Sequence, residues 1–191
     1  METKREMRKR ILEQRNALCP EEVYSKSAAV LKRLYSTRHY DNARMVLAYM
    51  DYGNEVMTGE FIKRCMRDGK RVALPKVESG NTLSIYEIKE IERDTQMGFR
   101  GILEPDGNVL NRLAPAKIDL AVIPGVAFDF NMYRIGYGAG YYDRFLPGLK
   151  PDCIKVGLAY VFQLVDKIPS GEFDVPMDII VTENGIIPEN S

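Results

Sequence analysis

Between residues 45 and 74 the hydrophobic period changes twice within a short stretch, and this constrains the fold more than any other feature of the sequence. Met45 to Met50 is an apolar run of strand length, Val56 to Arg67 reads as a helix stopped by Gly69, and Val72 to Leu74 is a second apolar run ended by Pro75. The buried-strand pattern returns at Ile118 to Ile123, ended by Pro124-Gly125, at Val156 to Ala159 and at Ile179 to Val181. Strands alternating with helices predict an α/β sandwich built on a mostly parallel sheet. Ligands in such sheets lie beyond the carboxyl ends of the strands, where the glycine-rich loop that follows residues 118 to 123 would sit.

The segment 4 to 18 is rich in helix formers and carries Met7, Ile11 and Leu18 on one face, which predicts an amphipathic helix. A second helix is expected over residues 20 to 36; it opens Pro-Glu-Glu, with proline at a first-turn position and acids where the helix dipole favours them. Asn81 to Ile88 alternates polar and apolar residues and reads as a half-exposed strand. Residues 90 to 117, broken by Gly98, Gly101, Pro105, Gly107 and Pro115, read as loop with one short helix. His39, flanked by Arg38, Tyr40 and Asp41, is assigned to a turn with a surface or capping role. No repeat, low-complexity tract or charge block divides the chain, so residues 1–191 are expected to form a single domain.

The 27 lysines and arginines balance 27 aspartates and glutamates, which argues against wholesale attraction to nucleic acid or to an anionic membrane and leaves only local anion sites. With a single histidine, a His-His metal site or a Ser-His-Asp relay is hard to build. Cys19, Cys65 and Cys153 are odd in number and far apart, so they suggest neither a disulfide framework nor a metal knuckle and fit a reducing cytoplasm. No apolar run of signal-peptide length follows the basic N-terminus, and about 18 consecutive apolar residues occur nowhere, so a soluble, untargeted protein is expected.

Arg134, Gly136, Gly138, Gly140 and Asp143 carry the strongest chemical signal. Glycines at i, i+2 and i+4 let successive backbone N–H groups approach an anion without obstruction from Cβ atoms, and a helix starting near Tyr141 would add its positive end. Arg134 can offer a planar fork to phosphate, and Asp143 can hold a magnesium ion against the same oxygens. The alternative is a glycine-rich turn whose tyrosines only pack. Gly-x-x-x-x-Gly-Lys-Ser/Thr is absent, and the loop does not reproduce Gly-x-Gly-x-x-Gly because position 141 is tyrosine.

The string Arg134 to Leu146, preceded by Ile123-Pro124-Gly125-Val126-Ala127-Phe128-Asp129, closely resembles the nucleotide-binding segment of the 5-formyltetrahydrofolate cyclo-ligase family, also called methenyltetrahydrofolate synthetase. Weaker motifs follow in the family's order: an N-terminal Lys-x-x-x-Arg helix, Asn54-Glu55-Val56, Leu74-Pro75-Lys76, Gly101 to Pro105, and Asp178 to Glu183. The resemblance implies a three-layer α/β/α sandwich on a mostly parallel sheet, similar to the sugar-phosphate isomerase/CoA-transferase-like fold. It also implies ATP- and Mg2+-dependent cyclisation of 5-formyltetrahydrofolate to 5,10-methenyltetrahydrofolate, with release of ADP and phosphate.

Carried over residue by residue, the resemblance implies that Lys4 and Arg8 contact ATP phosphates, and their i, i+4 spacing permits this because both share a helix face. These two residues and Arg134 would be the catalytic cations, and Ile135, Gly136, Tyr137, Gly138, Ala139, Gly140, Tyr141 and Tyr142 would complete the ATP site. Tyr49, Met50 and Glu55, with Tyr137, Gly138, Ala139, Gly140 and Tyr141, would border the folate. The Glu55 carboxylate suits the adjacent donors of a reduced pterin; at a helix N-terminus it could instead serve the dipole. Asp143 and Asp178 would bind magnesium, with Asp174 competing for the second position. Many members carry glycine or lysine where this chain has Ala139. A monomer acting on small molecules alone is expected, with no nucleic-acid or membrane partner. A sugar-phosphate isomerase or CoA-transferase relative, or a non-catalytic nucleotide-binding protein, are the alternatives.

Overall fold

The computed structural model describes residues 2–80, 82–98 and 101–188. Three helices open the chain, α1 (Lys4–Asn16), α2 (Pro20–Tyr35) and α3 (Arg38–Asn42), followed by strand β1 (Met45–Leu47), α4 (Gly59–Arg67), β2 (Arg71–Glu78) and β3 (Thr82–Ile88). Short elements come next: α5 (Ile91–Asp94), β4 (Thr95–Met97), β5 (Leu103–Pro105) and β6 (Arg112–Leu113). The second half contains β7 (Leu120–Ile123), β8 (Ala127–Asp129), β9 (Arg134–Ile135), α6 (Tyr141–Phe145), β10 (Ile154–Leu158), β11 (Leu164–Val165), β12 (Ile179–Val181) and β13 (Ile186–Ile187).

The large sheet runs β13-β12-β10-β7-β1-β2-β3-β6. Its five central strands, β12 to β2 in that order, are parallel, and antiparallel partners flank them on both sides. This is a mixed α/β protein with a mostly parallel central sheet. All four residues of β7 are buried, as a strand in the middle of such a sheet requires.

Alternate strand residues feed two cores on opposite faces. Val46, Val72, Leu120, Val122 and Val156 pack with Val30, Leu31 and Leu34 of α2 and Phe61, Ile62 and Cys65 of α4. Met45, Leu47, Ala73, Ala121 and Ile123 pack with Phe128, Phe145 and Leu146. A third cluster sets Met7 and Ile11 of α1 against Val126, Ala127, Ile135 and Ile168, so α1 lies on the small sheet β11-β8-β9 beside the glycine-rich loop. Among the described residues no helix is long and apolar enough to cross a membrane.

Several boundaries differ from the sequence reading for local reasons. β1 stops at Leu47, which frees Tyr49 and Met50 from the ladder. α4 begins at Gly59 rather than Val56, because Asp51 Oδ1 accepts from the Thr58 amide and hydroxyl and holds 51–58 as a loop. β2 continues through Pro75 to Glu78, pairing with β3 as far as Thr82. Proline is tolerated there because β1 no longer pairs beyond Leu47 and Ala73. The stretch 90 to 117, expected to be loop with one short helix, holds α5 and also the β4–β5 hairpin and β6. His39 lies in helix α3, not in a turn, and Asn81 lies outside the described residues.

Candidate active site

The Thr3 hydroxyl caps α1 by accepting from the Glu6 amide, and the Glu6 carboxylate accepts from the Thr3 amide. Burial of Met7 and Ile11 fixes the roll of the helix and turns Lys4 and Arg8 toward a cavity of about 590 Å³. Arg8 Nε donates to the Gly136 carbonyl at 2.8 Å, and Lys4 Nζ lies 2.6 Å from Asp174 Oδ2.

The β8–β9 hairpin delivers Arg134. Asp129 is fully buried; it accepts from the Asn131 and Tyr133 amides and, through its other oxygen, from the Ile168 amide, which locks the turn. Arg134 is buried as well. Its Nη2 lies 2.9 Å from Asp143 Oδ1, its Nη1 donates to the Val175 carbonyl at 3.2 Å, and its Nε has no hydrogen-bond partner. A buried, unmatched N–H on a cation is costly, so Arg134 is held at the cavity wall against a desolvation penalty.

Past Arg134 the backbone turns through Gly138 at φ +105° and Gly140 at φ +66°, conformations that side chains resist, and Gly140 caps α6. Tyr141 opens that helix, as the sequence predicts, and Ile135, Gly136, Tyr137, Ala139, Tyr141, Tyr142 and Asp143 all line the cavity. The Ala139 carbonyl accepts from Arg144 Nη2 at 2.9 Å.

At the other end stands Glu55, 5% exposed, in the loop between β1 and α4. Its Oε2 accepts from the Tyr52 amide at 2.9 Å, and its Oε1 accepts from the Tyr137 hydroxyl at 2.7 Å. Arg15 Nη1 lies 3.7 Å from Oε1, while Arg15 Nη2 donates to the same Tyr137 hydroxyl. Burial pushes the Glu55 carboxyl above the usual carboxylate range; the Tyr137 hydroxyl, the Arg15 charge and the Tyr52 amide oppose the rise without cancelling it. Tyr49 and Met50 line this end, and Val77, Leu83, Ile102 and Leu103 extend the apolar wall to Glu104, whose carboxylate lies 3.3 Å from Lys76.

The structure therefore brings every expected site residue to one cavity except Asp178. That side chain stands at the amino end of β12, where it accepts from the Lys155 amide and pairs with Lys155 Nζ, each at 2.7 Å. The cavity instead opens beyond the carboxyl ends of β1 and β7, so Asp178 is corrected to a strand-tying residue. Asp174, weighed against it, lines the cavity. Among the described residues no cluster of three or more potential metal ligands forms. Magnesium needs only one or two protein carboxylates when phosphates supply further oxygens, and the Asp143–Asp174 pair suits that donor set. Sequence reasoning gave no role to Arg15, although it lies seven residues beyond Arg8 and so on the same helix face. It also assigned none to the wall between β2 and β5.

Comparison with known proteins places the chain in a family. Residues 1–183 match the model of the 5-formyltetrahydrofolate cyclo-ligase family. The Escherichia coli K12 5-formyltetrahydrofolate cyclo-ligase is 31% identical, over 92% of this chain and 98% of its own. The Saccharomyces cerevisiae enzyme of the same name is 31% identical over 98% of both. The solution structure of Aquifex aeolicus 5,10-methenyltetrahydrofolate synthetase superposes with a TM-score of 0.84 at 36% identity, covering 96% of this chain and 91% of that one. With the match running across the glycine-rich loop, Glu55 and the α1 cations alike, the chain belongs to the 5-formyltetrahydrofolate cyclo-ligase family.

Proposed function

We propose that the cavity of this cyclo-ligase binds ATP at its cationic end and 5-formyltetrahydrofolate at its Glu55 end, and closes the folate to 5,10-methenyltetrahydrofolate. The observation that carries this reading is the joining of two chemistries in one cavity: Lys4, Arg8 and Arg134 beside a glycine-rich backbone at one end, a buried carboxylate with apolar walls at the other. The formyl oxygen attacks the γ-phosphoryl group and ADP leaves. N10 then adds to the activated carbon, phosphate departs, and the N10 proton is lost.

Such a transfer asks the protein for position and charge more than for a nucleophile. Arg134, whose buried guanidinium borders the cavity beside Asp143, and Lys4 and Arg8 on the α1 side neutralise charge on the phosphates. Glu55 accepts from the pterin donors, and Tyr49 and Met50 flank the ring. Asp143 and Asp174 would hold magnesium, which when bound offsets the repulsion between these carboxylates and the phosphates. A sugar-phosphate isomerase would act on an open-chain sugar phosphate alone, a reading that leaves the apolar wall of Val77, Leu83, Ile102 and Leu103 without a use.

The same reading takes the architecture as a three-layer sandwich akin to the isomerase/CoA-transferase-like fold, supported by separate cores on the two sheet faces. It also takes the enzyme as a single-domain cytoplasmic monomer. Incubation with 5-formyltetrahydrofolate, ATP and Mg2+ should produce the methenyl chromophore in step with ADP and phosphate. ATP hydrolysis at the same rate without folate would refute the reading.

A further inference from the structure

Resting on the placement of the pterin at Glu55, we propose that Arg15 is a positioning residue for the reaction, acting from behind the cavity wall through Tyr137 and Glu55. Its side chain is 3% exposed and does not border the cavity. Arg15 Nη2 donates to the Tyr137 hydroxyl, which donates to Glu55 Oε1 at 2.7 Å, so guanidinium, phenol and carboxylate form one chain from α1 to the ligand surface. The main chain is tied in parallel: Asn54 Nδ2 donates to the Arg15 carbonyl at 2.9 Å, one residue before Glu55.

This arrangement is poor as a stabilising device. Arg15 Nε and Nη1 are buried without hydrogen-bond partners, and 3.7 Å from Nη1 to Oε1 is a charge contact rather than a bond. Well-packed apolar side chains would fill the volume without burying an unmatched cation. What they could not supply is positive charge beside Glu55, at a site where burial works against ionisation, and a donor that fixes the Tyr137 hydroxyl toward Oε1. Tyr137 also belongs to the glycine-rich loop, so the chain links the two ends of the cavity.

The other titratable groups acting on Glu55, or acted on by it, are Tyr137, Tyr142 and Tyr49, all raised by burial and therefore neutral across the working range, and Asp51, held by Thr58. Arg15 is the group in this set that favours the charged carboxylate by its own charge. Removing it should therefore make folate binding depend on pH.

The test measures the dissociation constant of 5-formyltetrahydrofolate without ATP, and the KM for ATP, across mildly acidic to mildly basic pH. Arg15→Gln should weaken folate binding roughly 10- to 100-fold at the acidic end, the loss of a bond network to a charged group. The deficit should shrink as rising pH ionises Glu55, with the ATP KM changed less than about twofold. Arg15→Lys keeps the charge but not the fork, and should give a smaller loss with the wild-type pH profile. A pH-independent loss, an equal loss for ATP, or no loss in the Gln variant overturns the proposal. A Lys variant indistinguishable from wild type overturns it even if the Gln variant does not fold. Glu55→Gln separates the two layers of argument: unchanged folate affinity there sinks the pterin assignment, whereas loss there with none in Arg15→Gln sinks only the role of Arg15.

Discussion

The two ends of the cavity pair cations with carboxylates in different ways. At the inner end Arg15 and Glu55 are 3% and 6% exposed in their side chains, and a tyrosine hydroxyl mediates between them. At the proposed phosphate end Lys4 and Asp174 are 35% and 22% exposed and in direct contact, and the Asp143 partner of Arg134 is 29% exposed. Under the proposed function the difference follows from what each end would hold. A pterin needs a fixed acceptor in dry surroundings, which favours a buried carboxylate held in one place. Phosphates arrive with their own charge and metal, which favours cations whose carboxylate partners water can screen and whose contacts can be exchanged.

The largest effect that would sharpen this contrast is expected at Arg134, the one rim cation that is buried. Arg134→Lys keeps a charge but loses the planar fork that spans Asp143 and the Val175 carbonyl. Turnover should fall about 10²- to 10³-fold, the cost of removing a preorganised donor from a developing charge, while folate affinity holds. Single-turnover rates and folate titration measure the two separately, and parallel losses in both would show that the ends are not distinct. A smaller effect is expected from the rim carboxylates. Asp143→Asn and Asp174→Asn should each raise the magnesium concentration for half-maximal turnover by about tenfold. Asp178→Asn should leave that requirement alone and cost about 1 kcal/mol of stability or less. A magnesium titration in which Asp178→Asn responds and Asp174→Asn does not would return the second ligand to β12.

Much of this site is legible in the sequence because its parts are local. The glycine-rich loop needs only Gly138 and Gly140 at positive φ, and α6 begins where the glycines end. The i, i+4 pair Lys4 and Arg8 follows from helix period alone. What stayed hidden depends on distant partners. Asp174 and Asp178 are four residues apart, and only the capture of one by Lys4 and the other by Lys155 separates them. Arg15 looks like one more surface cation of a basic helix until Glu55 and Tyr137 are seen to close over it. The short strands between residues 90 and 117 pair through two or three residues each, too few for a period to register.

The smallest expected effect, and the most direct test of the comparison, is the sign with which each end couples stability to pH. Burial raises the Glu55 carboxyl above its ordinary value of 4.5, so above that pH the folded chain holds a proton more readily than the unfolded chain. The stability gap between wild type and Glu55→Gln should therefore narrow as pH rises from 4.5 through the folded value, then level off. Arg15 loses its carboxylate partner in the Gln variant, but a guanidinium stays charged throughout, so it adds a constant offset and no slope. Asp174 behaves in the opposite sense. Burial pushes its carboxyl up, yet the Lys4 ammonium and the Gly171 amide more than offset that, leaving it below 3.8. Its contribution is complete above 3.8 and is lost as pH falls through the folded value, so the gap between wild type and Asp174→Asn should widen as pH rises through that window. For a pair this exposed the change is about 1 kcal/mol or less, or roughly 2–4 °C in Tm for a chain of this length. Melting curves of the three proteins from about pH 3 to pH 8 read both slopes at once. Slopes of the same sign would mean that both carboxylates sit in one kind of environment, and the distinction between a dry pterin end and a screened phosphate end would fail.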